Sequence, residues 1–121
     1  MITHFKWFLD AQEVTWKYNS GQVIKQYAYP IRSAVVLRDL SGVALVEPHE
    51  EKGINNAVVF NADGSERFRL KFPMNDPRSI CFNQIYYIND ELTAICATRS
   101  ADFAYVFDPT NRKYLRHYDT R

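Results

Sequence analysis

The sequence predicts an all-β protein assembled from short antiparallel hairpins. Three segments superimpose: Val14-Thr-Trp-Lys-Tyr-Asn-Ser-Gly21, Ala57-Val-Val-Phe-Asn-Ala-Asp-Gly64 and Ala104-Tyr-Val-Phe-Asp-Pro-Thr-Asn111. Each is a β-prone run that ends in an aromatic residue, then Asn or Asp, then a turn. The anchors Tyr18, Phe60 and Phe107 lie 42 and 47 residues apart, within the spacing of tandem structural units. After two of these tips, Phe68-Arg-Leu-Lys-Phe72 and Tyr114-Leu-Arg-His-Tyr118 alternate apolar with polar residues, the period of a half-buried strand. A further hairpin precedes each later tip. Ser33–Arg38 turns through Asp39-Leu-Ser-Gly42 into Val43–Val46, and Asn83–Ile88 turns through Asn89-Asp90 into Leu92–Cys96.

Taken in order, Phe5–Leu9 is the single strand expected ahead of Val14–Tyr18, and Val23-Ile24 breaks the alternation of the strand after it. The first unit therefore has three strands and the next two have four each, over about 1–30, 31–73 and 74–121 of a single domain. At the tips, the side chain of Asn61 or Asp108 opens a type I turn. Pro109 sets the next φ, and Gly64 or Asn111 takes the left-handed closing position. With a two-residue turn at Asn89-Asp90, Cys81 faces Thr98 and Cys96 faces Asn83. The two thiols are then only diagonal neighbours, beyond bridging distance.

Four-stranded units of 42 to 47 residues with an aromatic–Asn/Asp tip on the third strand resemble the blades of a β-propeller. The resemblance implies a partial β-propeller of about two and a half four-stranded antiparallel units. A ring closes with four blades or more, so its two end faces would need cover from a second copy, another protein, or irregular segments such as 73–79 and 48–56. A two-sheet antiparallel sandwich fits the same strand spacing. No catalytic residue transfers from propellers, which share an architecture across unrelated activities.

Composition narrows the function. An apolar fraction of 46% with 18 aromatics among 121 residues excludes a disordered chain, and four Gly with five Pro exclude a collagenous one. The net charge is +1, and residues 31–73 and 74–121 each carry six positive and six negative side chains. No segment is therefore a basic nucleic-acid-binding domain. The first ten residues lack the features of an export signal, and no apolar run reaches the length of a membrane span. Two widely spaced cysteines make neither a disulfide framework nor a Cys-x-x-Cys motif, and read as reduced thiols of a cytoplasmic protein.

The candidate site is the run Glu47-Pro-His-Glu-Glu-Lys-Gly-Ile-Asn-Asn56. Glu47, His49, Glu50 and Glu51, extended by Asp63 and Glu66 at the neighbouring tip, read as an acidic contact surface for a basic protein partner. His49, Glu50 and Glu51 are consecutive and cannot converge on one ion, so no metal is expected, and no motif calls for a cofactor. His4, His49 and His117 are scattered, and no nucleophile elbow, phosphate loop or zinc-protease motif is present. The expected function is a non-enzymatic protein-binding module. Most concretely, it is a small immunity-type inhibitor that occludes the working site of a cognate bacterial toxin, for instance a basic nuclease. One alternative is a homo-oligomeric propeller, such as a homodimer, that binds a small ligand or carbohydrate. The other is an RNA-binding β protein using Arg112, Tyr114, Arg116 and Tyr118 on one face of the last strand.

Overall fold

The computed structural model describes residues 1–75 and 77–120. Among them are eleven strands in three antiparallel sheets and one short helix. The first sheet is β1 (Ile2–Lys6), β2 (Glu13–Tyr18) and β3 (Gly21–Gln26), in that order. The second is β4 (Ser33–Val36), β5 (Gly42–Val46), β6 (Ala57–Asn61) and β7 (Glu66–Arg69), with helix α1 (His49–Lys52) between β5 and β6. The third comprises β8 (Ser79–Ile88), β9 (Glu91–Thr98), β10 (Asp102–Asp108) and β11 (Lys113–Asp119). No helix among the described residues is long and apolar enough to cross a membrane.

The unbroken apolar runs Val43–Val46 and Ala57–Phe60 belong to the second sheet, which is buried on both faces. Alternation along the strand assigns each residue to one side. Val43, Leu45, Val58 and Phe60 pack with Ile2, Val14 and Trp16 of the first sheet. Ala44, Val46, Ala57 and Val59 pack with Phe82, Ile85, Leu92, Ala94, Tyr105 and Phe107 of the third. Sheets covered on both faces lose the polar half of the alternating pattern, which is why the middle strands read as solid apolar blocks.

Specific contacts fix this layering. Buried Trp16 donates its indole N–H to the Ala62 carbonyl at 2.7 Å, tying the first sheet to the β6–β7 tip. On the other side Asn56 bridges sheets: its amide donates to the Glu47 and Phe82 carbonyls, and its Oδ1 accepts the Phe82 N–H. Ser33 Oγ both accepts from Ile85 N and donates to Ile85 O. At Phe82 and Ile85 the free backbone edge of β8 is thus occupied by Asn56 and Ser33, which opposes pairing with another strand there. Gly42 is required by proximity, since a Cβ there would lie 2.2 Å from the Phe60 carbonyl oxygen.

This arrangement overturns the propeller resemblance. The three sheets are separate layers, the middle one covered on both sides, and none is part of a closed ring. Layered antiparallel sheets fit the sandwich alternative. The recurring tips reflect turn chemistry common to hairpins and not tandem blades. Gly64 closes its turn at φ 92, whereas in the last hairpin Arg112 at φ 59, not Asn111, takes the left-handed position. Asp108 Oδ1 accepts from Thr110 N and Asn111 N there.

Three register details also differ from the sequence reading. The first strand is Ile2–Lys6, not Phe5–Leu9: its register shifts between Thr3 and Lys6, where His4 has φ 54, its pairing with β2 stops at Lys6, and residues 7–10 lie outside the strand. Asn89 and Asp90 both have positive φ, as a type I′ turn requires, and the expected pairing holds as far as Gln84–Ile95. Irregularities beyond it slip the register, so Cys81 faces Ala97 and Cys96 faces Phe82. Both thiols are free and buried, and burial raises their pKa values. An irregularity between Val106 and Phe107 also splits β11. Tyr114 and His117 lie against Tyr105, while Arg116 and Tyr118 lie across from Val106 and Ala104 on the opposite face. The single basic–aromatic face proposed for RNA does not form.

Candidate functional site

The acidic run folds into two environments. Glu47 continues from β5 into the interior, where it is 2% exposed. Its carboxylate accepts from Tyr27 Oη at 2.5 Å and from Arg69 Nη1 at 2.5 Å. Burial and the bond to Glu47 push the Tyr27 hydroxyl above its ordinary pKa. Burial works against the Arg69 charge, and its bonds to Glu47 and Glu66 more than offset this, holding its pKa above the usual value. Glu47 is therefore structural and takes no part in a contact surface. The run's charge count could not reveal this, because the signal is the position of Glu47 directly after four buried apolar residues.

Pro48 starts α1 without a side-chain cap. Three residues of the helix, His49, Glu50 and Glu51, belong to the expected site. His49 Nδ1 lies 2.6 Å from Arg32 Nη2, a contact in which the guanidinium can only donate. Exposed Glu50 sits 3.9 Å from Arg32, a surface pair of little energetic weight. Glu51 Oε2 accepts from Ala28 N at 2.8 Å and Tyr29 N at 3.2 Å, which pins the connection between the first and second sheets against the helix.

Asp63 and Glu66 do not join this group. α1 comes after the Val46–Ala57 end of the middle sheet, whereas the β6–β7 tip lies beyond the Gly42–Asn61 end, four strand residues or roughly 13 Å away. Asp63 is held by Ser65 N and Oγ within its own turn, and Glu66 pairs with Arg69.

Beside α1 lies a feature the sequence reading missed. The loop after β1 carries Phe8 and Leu9, which are 74% and 78% exposed. Phe8 and Glu51 border one hollow of about 720 Å³, together with Lys6, Gln12 and Tyr27. Leu9 and Glu50 border a second of about 320 Å³, with Asp10, Arg32 and Gln84. Loop and helix thus form one end of the molecule, where apolar side chains stand free next to exposed carboxylates. The signal lay in Phe8-Leu9 directly before Asp10, and assigning both residues to a strand hid it.

The fold defines an all-β class of three layered antiparallel sheets, with a mixed apolar and acidic end and no group of three or more metal-ligating side chains among the described residues. No family model and no curated protein matches the sequence. In three dimensions the chain is similar to one in the structure of Tne2 in complex with Tni2, with a TM-score of 0.71 and 15% identity over 93% of this chain and 79% of that one. This likeness is one of fold.

Proposed function

We propose that the chain is a non-enzymatic protein-binding module of the reducing cytoplasm. In this reading it is an immunity-type inhibitor that docks its α1 end on a cognate toxin and covers the toxin's working site. The observation that carries the reading is the pairing of two almost fully exposed large apolar residues, Phe8 and Leu9, with exposed Glu50 and Glu51 across two hollows. An apolar centre with a charged rim is the composition of a protein interface, and acidic rims select basic partners and speed their encounter. The similar fold belongs to a chain solved in a two-protein complex, which supports the same reading.

The test is co-expression with the product of the adjacent gene. The chain is expected to form a complex and protect the host from that product. The double variants Phe8→Ala/Leu9→Ala and Glu50→Lys/Glu51→Lys should each weaken the complex at least tenfold. Absence of both complex and protection, or an affinity unchanged by both variants, overturns the proposal.

A further inference from the structure

Away from α1, the middle and third sheets part. Ser33 and Asn56 hold them together where β4 and β5 meet β8, and at the opposite edges a cleft of about 180 Å³ opens between β7 and the β10–β11 hairpin. Its floor is aromatic. Phe68 meets Phe107 edge-on with ring centres 6.4 Å apart, and Phe107 meets Tyr114 at 6.5 Å. Tyr114 donates its hydroxyl to the Lys71 carbonyl at 2.7 Å, which closes one wall.

The charged residues lining this cleft are Arg69, Lys71, Arg112 and Lys113, with no carboxylate among them. Arg69 is already paired with Glu47 and Glu66. The other three have no carboxylate within salt-bridge distance among the described residues. The guanidinium of Arg112 lies over the Phe68 ring at 5.9 Å, keeping its N–H groups available. Lys113 pairs across the ladder with Asp108, but that carboxylate is turned onto Thr110 N, Asn111 N and Asn111 Nδ2. Glu66 and Arg67 stand in the adjoining hollow, with Arg112 common to both.

Three cations with no carboxylate at salt-bridge distance, around an aromatic-floored cleft in a chain of net charge +1, make a local positive field where the whole molecule has almost none. A phosphate group matches it best. It brings close to two negative charges and several strong acceptors, and the guanidinium fork can engage two of them at once. We infer that the cleft between β7 and the β10–β11 hairpin is a binding site for a phosphate group, either free or carried on a small molecule, held by Lys71, Arg112 and Lys113.

Calorimetric titration at low ionic strength, with inorganic phosphate in one arm and adenosine monophosphate in the other, tests this. Saturable one-site binding is expected in at least one arm. Lys71→Glu/Lys113→Glu should weaken it at least tenfold, and these side chains are exposed and make no side-chain hydrogen bonds in the structure, so the variant keeps the fold. Arg112→Gln should weaken it separately. Similar affinity in both arms identifies free phosphate as sufficient, and tighter binding of the nucleotide identifies a carried phosphate. Binding of neither ligand overturns the site. So does binding that both variants leave unchanged, or binding of a single-stranded oligoribonucleotide without either small ligand.

Discussion

Glu47 and Glu50 stand three residues apart in one acidic run, and the fold treats them as opposites. Glu47 is sealed between sheets, with each oxygen taken by a donor from a different element. Glu50 faces solvent, with His49 Nδ1 at 3.3 Å and the edge of the Arg32 guanidinium at 3.9 Å. Position relative to the strand sets the role of each carboxylate, and sequence proximity to other acids says little. The step from one environment to the other is made by Pro48, which fixes φ and opens the helix.

Removing the inner carboxylate puts the contrast under the greatest load. Glu47→Ala strands Tyr27 Oη and deprives the half-buried Arg69 of its closest partner. Breaking such a pair costs about 3 kcal/mol, toward the low end for buried pairs because Arg69 keeps Glu66 and the Asn55 carbonyl. Urea unfolding should show this loss, and Tyr27→Phe combined with it should lose less than the sum of the two single variants. A loss under about 1 kcal/mol would mean that water enters and that Glu47 belongs with its exposed neighbours.

Helix α1 offers the same contrast on a smaller scale. Glu51→Ala frees two backbone N–H groups of the sheet connection, at a cost of about 1 kcal/mol, because water replaces part of what the carboxylate gives. Glu50→Ala should stay within about 0.5 kcal/mol of the parent. Equal losses at the two positions, measured by the same unfolding experiment, would show that α1 is held as a unit and that Glu51 does not pin the connection.

The features legible in the residues alone divide in the same way, between local and layered information. Turn chemistry is local, and the hairpins at Asn89-Asp90 and at Asn61–Gly64 form where Asn, Asp and Gly were placed. The partition into three, four and four strands was also legible, because each hairpin announces itself through its own alternation. Layering was not. Two-sided burial of Val43–Val46 is a relation between sheets, and a blade and a sandwich layer write the same apolar block. Irregular pairing was equally hidden: one extra residue in β11 opposite Val106 and Phe107 separates Tyr114 from Arg116 and Tyr118, and the first strand stops at Lys6, which leaves Phe8 and Leu9 in an exposed loop. The candidate site was half visible for this reason. Its acids on α1 stood out by charge, while its apolar partners and the inward turn of Glu47 depend on register and stacking.

Turn carboxylates lie between the two extremes, and acid titration separates them. Asp39 and Asp63 occupy matching turns, in which each carboxylate accepts the hydroxyl and the backbone N–H of the serine two residues on. These serine bonds hold both carboxyls below their ordinary pKa of 3.8. A group whose pKa is lower folded than unfolded stabilises the fold above the unfolded value, and that stability drains away as the pH falls through the folded value. Stability should therefore decline below about pH 4, with Asp108, lowered by its bonds to Asn111 and Thr110, adding to the slope. Asp39→Asn/Asp63→Asn keeps an acceptor oxygen at each turn but removes the titration, so the variant should lose little at neutral pH and show a shallower acid limb in urea midpoints. An acid limb identical to the parent's would place the acid sensitivity elsewhere and make these two turns as energetically silent as Glu50.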